Sequence, residues 1–351
     1  MARIPSGALS HLIYAFLRFD QNNKLATRTE DTLFPSTYAA MVQVQQRSPG
    51  LRLIAGIGGG GSYSDYFPTA TASESSREVA AQSIVDFFGT HPGLDGVDLD
   101  WESPANPTQR SQLTAFVTKL RAKLDGLSTT TGKRYSISLA TTSIVDCGNV
   151  PSICIDAQLD TTAVTPLIDF YNVMTYSMTG SWTGNTQHHA ALVARPDVDH
   201  FASQQSPGFA NSGVNAVAAY RARGVPANKL NLGVPFYGVQ FCGVPAGTTN
   251  GLFQTFNPGL SDPAGCAGEA QINYRDIITR YTAAAGWQDN LDVIAKGSWL
   301  FNAAQGKLIS YESPASLAAK RDWANQNGVG LMIWDLGADT DAWTLLSVIK
   351  S

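Results

Sequence analysis

The densest chemistry in this sequence lies in Leu94-Asp95-Gly96-Val97-Asp98-Leu99-Asp100-Trp101-Glu102. Asp98, Asp100 and Glu102 recur at every second residue. On a β-strand alternate side chains share a face, so these three carboxyls step along one side at about 6.6 Å per pair of residues. Val97, Leu99 and Trp101 fall on the other side, where they can pack against helices. Carboxyls held that close cannot all ionise, and at least one pKa must rise. A carboxylic acid that keeps its proton near neutral pH is what general acid catalysis needs. Glu102, at the end of the run, is the expected proton donor. Asp98 and Asp100 lie deeper, placed to trade a proton and a hydrogen bond with it. A solvated acidic loop would not need the interleaved Val, Leu and Trp.

The other chemistry-bearing residues suggest less. Gly58-Gly59-Gly60-Gly61 follows a short apolar run but lacks the Lys-Ser/Thr of a phosphate loop, so it reads as a tight turn with close backbone approach. Cys147, Cys154, Cys242 and Cys266 include no C-x-x-C pair, and His is scarce at 5, which argues against a structural zinc site. Their order suggests the local pairs Cys147 with Cys154 and Cys242 with Cys266, although three connectivities are possible. Paired cysteines would place the chain in an oxidising compartment.

Positioning these groups takes a large fold. The chain has 351 residues, 44% apolar and only 15% charged, which excludes intrinsic disorder. Lys+Arg number 24 against Asp+Glu 28, a net charge of −4, so no basic excess exists to neutralise nucleic-acid phosphates. No apolar run approaches the roughly 20 residues of a membrane span. The opening Met1-Ala2-Arg3-Ile4-Pro5 carries no apolar core with a small-residue cleavage site, so no signal peptide is expected within this chain.

Short apolar runs alternate with stretches of helical period. The runs begin at His11, Arg52, Gly96, Tyr135, Phe170, Lys229 and Val329. Helices are expected near 37–48, 74–90, 107–125, 212–223 and 314–327. Ser73 and Ser313 look like starts, and Gly224 and Gly328 look like stops. Strand-helix-strand repeats imply right-handed βαβ units, a parallel sheet and an α/β fold. This many strands suggest a (β/α)8 TIM-type barrel. The rhythm breaks between 239 and 310, which reads as a small α+β insertion. Within it Tyr274–Tyr281 is an expected short helix, and Lys296–Asn302 and Lys307–Tyr311 can pair as strands. The expected division is a barrel of 1–238 and 311–351 with an inserted 239–310.

Asp95-x-x-Asp98-x-Asp100-x-Glu102 resembles the signature of family 18 glycoside hydrolases, the chitinase family. The resemblance extends to His11–Phe16, Gly56-Ile-Gly-Gly59, Met174-Thr-Tyr176, Gly180-x-Trp182, Gly233–Gly238, Ser310–Lys320 and Met332–Trp334. It implies a retaining, substrate-assisted mechanism without cofactor or metal. Glu102 would protonate the glycosidic oxygen, and the substrate's own 2-acetamido group would be the nucleophile. Asp100 would orient the acetamido N–H, Asp98 would hold or release the proton that lets Asp100 turn, and Tyr176 would hydrogen-bond the acetamido oxygen. Met174 would shape the sugar pocket and Trp334 would form its floor. Tyr237, Trp182 and Trp101 complete the expected substrate-contacting set, whereas Trp287, Trp299, Trp323 and Trp343 are expected to pack.

Four features depart from the family pattern. Its first barrel strand should precede residue 11 and is expected to be absent. Gly56 replaces a serine that would bond the deeper acids, Ser177 replaces an aspartate, and Gly60 stands where a tryptophan often does. The expected protein is a secreted, monomeric chitinase acting on chitin or chito-oligosaccharides. A chitin-binding lectin and an endo-β-N-acetylglucosaminidase on N-glycans are the alternatives.

Overall fold

The computed structural model describes residues 4–27, 32–145, 147, 150–195 and 211–350. The chain divides into two compact units. The first comprises Met1–Thr141, Ile155–Asn172 and Arg223–Val225, and the second Thr142–Cys154, Val173–Ala222 and Pro226–Ser351.

The first unit opens with β1 (His11–Phe19), its short antiparallel partner β2 (Leu25–Ala26), β3 (Arg52–Gly58), β4 (Leu94–Asp100) and β5 (Ser136–Thr142). β1 runs parallel to β3, β3 to β4, and β4 to β5. The apolar side chains of β3 and β4 are completely buried, as expected of parallel strands covered on both faces. Leu53, Ile54, Ile57, Val97 and Leu99 from the strands join Ile84, Phe88, Phe116, Val117 and Leu120 from the covering helices in the buried interior. Each such side chain contributes about 1.5–3 kcal/mol on burial.

Local signals set the helix ends. Ser73 caps Glu74–Thr90 with a reciprocal bond to Ser76, and Ser313 does the same for Pro314–Asn327 with Ser316, which ends at Gly328 in the left-handed conformation. The helix at 107 extends further than its apolar period predicts, to Thr131. Its last turns read as a polar loop, Ser128-Thr-Thr-Thr131. There the hydroxyls bond back to the carbonyls of Leu124, Gly126 and Leu127, so the helix continues until Gly132. The helix expected near 37–48 is Phe34–Gln46, started by Pro35 in its first turn.

The strands continue with β6 (Phe170–Met174), β7 (Leu230–Pro235), β8 (Tyr237–Cys242), β9 (Ala267–Asn273), β10 (Gln288–Asp292), β11 (Gly297–Asn302), β12 (Lys307–Tyr311) and β13 (Gly330–Trp334). β13 runs parallel to β7. An eight-stranded sheet has the order β13-β7-β6-β5-β4-β3-β1-β2, and with its crossing helices the fold is of the TIM-type (β/α) class. Among the described residues the outer neighbour of β1 is only the two-residue β2, and no strand precedes β1.

In the second unit a five-stranded antiparallel sheet has the order β10-β11-β12-β8-β9. The expected pairing of 296–302 with 307–311 is present as β11 and β12, and the expected short helix is Tyr274–Arg280. Its core joins Tyr237, Phe241, Trp299 and Phe301, with Tyr176 and Trp334 packed on it. Disulfides join Cys147 to Cys154 and Cys242 to Cys266, the two local pairings.

Candidate active site

The acids are placed by β4 and its neighbours. Asp98 and Asp100 are 4% and 6% exposed, whereas Glu102 lies past the strand's end, where solvent reaches it. Register sets Gly56 beside Asp98, Gly58 beside Asp100, and Ser138 on the other flank of Asp98.

Each carboxyl has its own surroundings. Asp95, the first acid of the motif, is spent on the fold. It accepts from Gln45 Nε2 and the Leu53 N–H, both at 2.8 Å, and pairs with Lys133 at 2.8 Å. Asp98 Oδ1 accepts from Ser138 Oγ and from Asn172 Nδ2, the latter at 2.9 Å. Burial pushes the Asp98 carboxyl above the usual carboxylate range, and these two donors oppose the rise. Asp100 is pushed well above that range, first by burial and then by the charges of Glu102 and Asp98. Its Oδ1 is buried with no hydrogen-bond partner among the described residues. Protein atoms crowd the Glu102 carboxyl enough that desolvation raises it as well. The ladder therefore retains protons at pH values where ordinary carboxyls have lost theirs.

The glycine run gives this ladder room. Gly58 has φ +105°, and a Cβ there would lie 2.1 Å from the Asp100 carbonyl, so only glycine permits β3 to end this close to β4. At Gly56 a Cβ would lie 2.6 Å from the Tyr14 carbonyl, so the family's serine does not fit this backbone. The support expected from that serine comes instead from Ser138 and Asn172. At Gly60 a Cβ would meet the Glu102 carboxyl oxygens at 3.7 and 3.8 Å, ordinary contact distances, so this position directly adjoins the acid.

Trp101 points away from the acids. It is 7% exposed and stacks on Phe67, centroids 5.3 Å apart and planes 8° apart.

The remaining expected residues belong to the second unit. Tyr176 Oη donates to Met332 Sδ at 3.8 Å, and its ring lies edge-on to Tyr237 at 6.1 Å. Ser177, at the departure from the family's aspartate, has φ +53° and shares a 2.6 Å hydrogen bond with Tyr237 Oη. Tyr237 is buried, Met174 and Trp334 end their strands half-buried, and Trp182 is 53% exposed. Trp287 and Trp299 are buried, the latter donating its indole N–H to the Asn250 carbonyl at 2.9 Å.

Sequence reasoning missed Ser138, Asn172 and Ser64. The first two carry a period-2 signal: Ser136 and Ser138 alternate with Ile137 and Leu139, and Asn172 interrupts an apolar strand. A polar residue inside a buried strand needs a partner, and the acid ladder supplies it.

The family model for glycosyl hydrolases family 18 matches residues 2–339. Chitinase A1 of Niallia circulans is 30% identical over 345 residues, covering 95% of this chain and 47% of that protein. Chitinase 1 of Aphanocladium album is 27% identical, covering 96% of this chain and 77% of that one. The chain thus spans about half the length of the first relative and about three quarters of the second. Among solved structures, the chitinase ChiW of Paenibacillus sp. str. FPU-7 superposes with a TM-score of 0.84 at 30% identity, over 99% of this chain and 40% of that one. A family 18 N-acetylglucosaminidase from Paenibacillus barengoltzii superposes with a TM-score of 0.80 at 25% identity, covering 98% and 93%.

Proposed function

The chain belongs to family 18 of the glycosyl hydrolases, and from that premise we propose that it is a chitinase hydrolysing β-1,4-linked N-acetylglucosamine chains with retention of configuration. The observation that carries the reading is the ladder of Asp98, Asp100 and Glu102, in which two buried acids with raised pKa values stand beside a third, also raised, at the strand end.

Glu102 gives its proton to the glycosidic oxygen. The substrate's acetamido oxygen closes on the anomeric carbon as the leaving group departs, forming an oxazolinium ion. Glu102, now ionised, takes a proton from the water that opens the ring. Asp100 Oδ1, buried and without a partner, accepts the acetamido N–H and stabilises the positive charge that develops there. Asp98, fixed by Ser138 and Asn172, receives or releases the proton that Asp100 shares. Tyr176 donates to the acetamido oxygen, Trp334 stacks under the sugar, Met174 shapes its pocket, and Tyr237 and Trp182 complete the substrate contacts, whereas Trp101, buried against Phe67 on the opposite face, takes no part.

The same reading divides the chain into a barrel, 1–238 and 311–351, and an inserted 239–310. The antiparallel sheet built largely from that stretch supports the division. It takes the protein to be monomeric and extracellular, and the two disulfides suit an oxidising compartment.

Turnover of chitohexaose, followed by chromatography with calorimetry alongside, tests the reading. Release of shorter oligomers is expected. Binding without any product would favour a chitin-binding lectin.

Asp100→Asn probes the ladder in two ways. We expect kcat to fall about 10–100-fold, with the alkaline limb of the pH profile unmoved. Burial is what raises the Glu102 carboxyl, and it is the Glu102 charge that raises Asp100, so a neutral amide at position 100 leaves the Glu102 ionisation where it was. Stability moves opposite to the rate. A carboxyl raised on folding stabilises the fold below its unfolded pKa, and that contribution is lost as pH rises through the folded value. Asp100→Asn should therefore melt higher than wild type at pH 7 and equal to it near pH 3. Equal melting at both pH values would show that folding does not raise the Asp100 carboxyl.

A further inference from the structure

Ser64 is 5% exposed and sits between the end of β3 and the end of β4, in neither strand. Its hydroxyl makes three contacts. Oγ lies 2.9 Å from the Gly59 carbonyl and 3.1 Å from the Asp100 carbonyl, and it accepts from the Glu102 N–H at 3.1 Å. A serine hydroxyl has one hydrogen and two lone pairs, so it donates to one of the two carbonyls and accepts from Glu102 at the same time. A fourth bond, the Gly59 N–H to the Asp100 carbonyl at 2.7 Å, closes the ring of backbone groups around it.

Ser64 itself is held from both sides. Its N–H donates to the Gly61 carbonyl at 3.3 Å, and its carbonyl accepts the Phe67 N–H at 3.1 Å, at the start of the helix Phe67–Thr71. Phe67 is 1% exposed and stacks on Trp101, the residue before Glu102. The backbone N–H of Glu102 lies past the last residue of β4, so its partner is this side chain rather than the sheet.

The geometry points to Ser64 as a positioning residue for the acid: its hydroxyl pins the Glu102 backbone to the glycine turn and so fixes where the Glu102 carboxyl stands beside Asp100. The inference deepens the proposed hydrolase reading and rests on Glu102 being the proton donor. Placement of a reacting group within a fraction of an ångström matters because a 1 Å error can cost about 100-fold in rate. Loosening the N–H anchor would also let water reach the carboxyl, bringing its pKa back toward that of an ordinary glutamate.

The test is steady-state hydrolysis of chitohexaose across pH by the wild type and by Ser64→Ala, Ser64→Thr and Ser64→Cys. For Ser64→Ala we expect kcat to fall about 10–100-fold with KM within about threefold, and the alkaline limb to move to lower pH. Ser64→Thr, which keeps the hydroxyl, should restore most of the rate. Should Ser64→Ala not fold, Ser64→Cys takes its place with the same expectation, because a thiol keeps the volume and bonds only weakly. A role in folding alone would lower the melting temperature and leave kcat and the pH limb unmoved. An active wild type with Ser64→Ala or Ser64→Cys at wild-type kcat overturns the inference and leaves the hydrolase reading standing. A wild type without turnover overturns that reading, and this inference with it.

Discussion

Glu102→Gln is expected to lower kcat on chitohexaose by about 10²–10⁴-fold, the usual worth of a general acid, while oligosaccharide binding persists. The amide keeps the volume and the backbone bond to Ser64 but has no proton to give. Calorimetry on the variant should therefore show wild-type affinity where turnover has gone. The pH profile of the wild type carries the same assignment. Desolvation raises Glu102, so the alkaline limb should lie above the pKa of an ordinary glutamate. Hydrolysis by Glu102→Gln at the wild-type rate would mean the proton comes from another group.

The largest effect on stability is expected far from the acids in sequence. Lys320 and Glu312 are both 2% exposed and form an ion pair. Lys320 also donates to the Ala190 carbonyl, and Ser316 Oγ donates to Glu312 at 2.6 Å. Burial brings the Lys320 ammonium down to about 7. Glu312→Ala leaves that ammonium buried without its carboxylate, and such a loss costs about 3–5 kcal/mol. Urea denaturation at pH 6, where the ammonium is charged, should read that difference. The double variant Glu312→Leu with Lys320→Met should recover most of it, because neither charge then needs solvation. A single variant as stable as wild type would show that the pair is not closed in solution.

Much of this architecture is legible in the sequence because the decisive signals are local. The caps at Ser73 and Ser313, the stop at Gly328 and the period-2 acids each follow from interactions within a few residues. What was not legible depends on register between strands. Nothing near residue 98 in sequence says that Ser138 and Asn172 will meet Asp98; they arrive 40 and 74 positions away. Gly56 illustrates the same limit. Set against the family pattern it implies a lost hydrogen bond, yet the backbone of Tyr14 leaves no room for a side chain there and the bond comes from β5 and β6 instead. Ser64 gave no signal at all, because a serine after a glycine turn is ordinary until its three backbone partners are in place. The run-on of the helix to Thr131 was hidden by residues that favour loops unless their hydroxyls bond back to the helix.

The central claim is that a protonated Glu102 and the substrate's own acetamido group cleave the glycosidic bond with retention. Proton NMR of a fresh chitohexaose digest, recorded before the products mutarotate, tests it most directly. The account predicts new reducing ends released as the β-anomer. Release as the α-anomer would require direct attack by water and would contradict it.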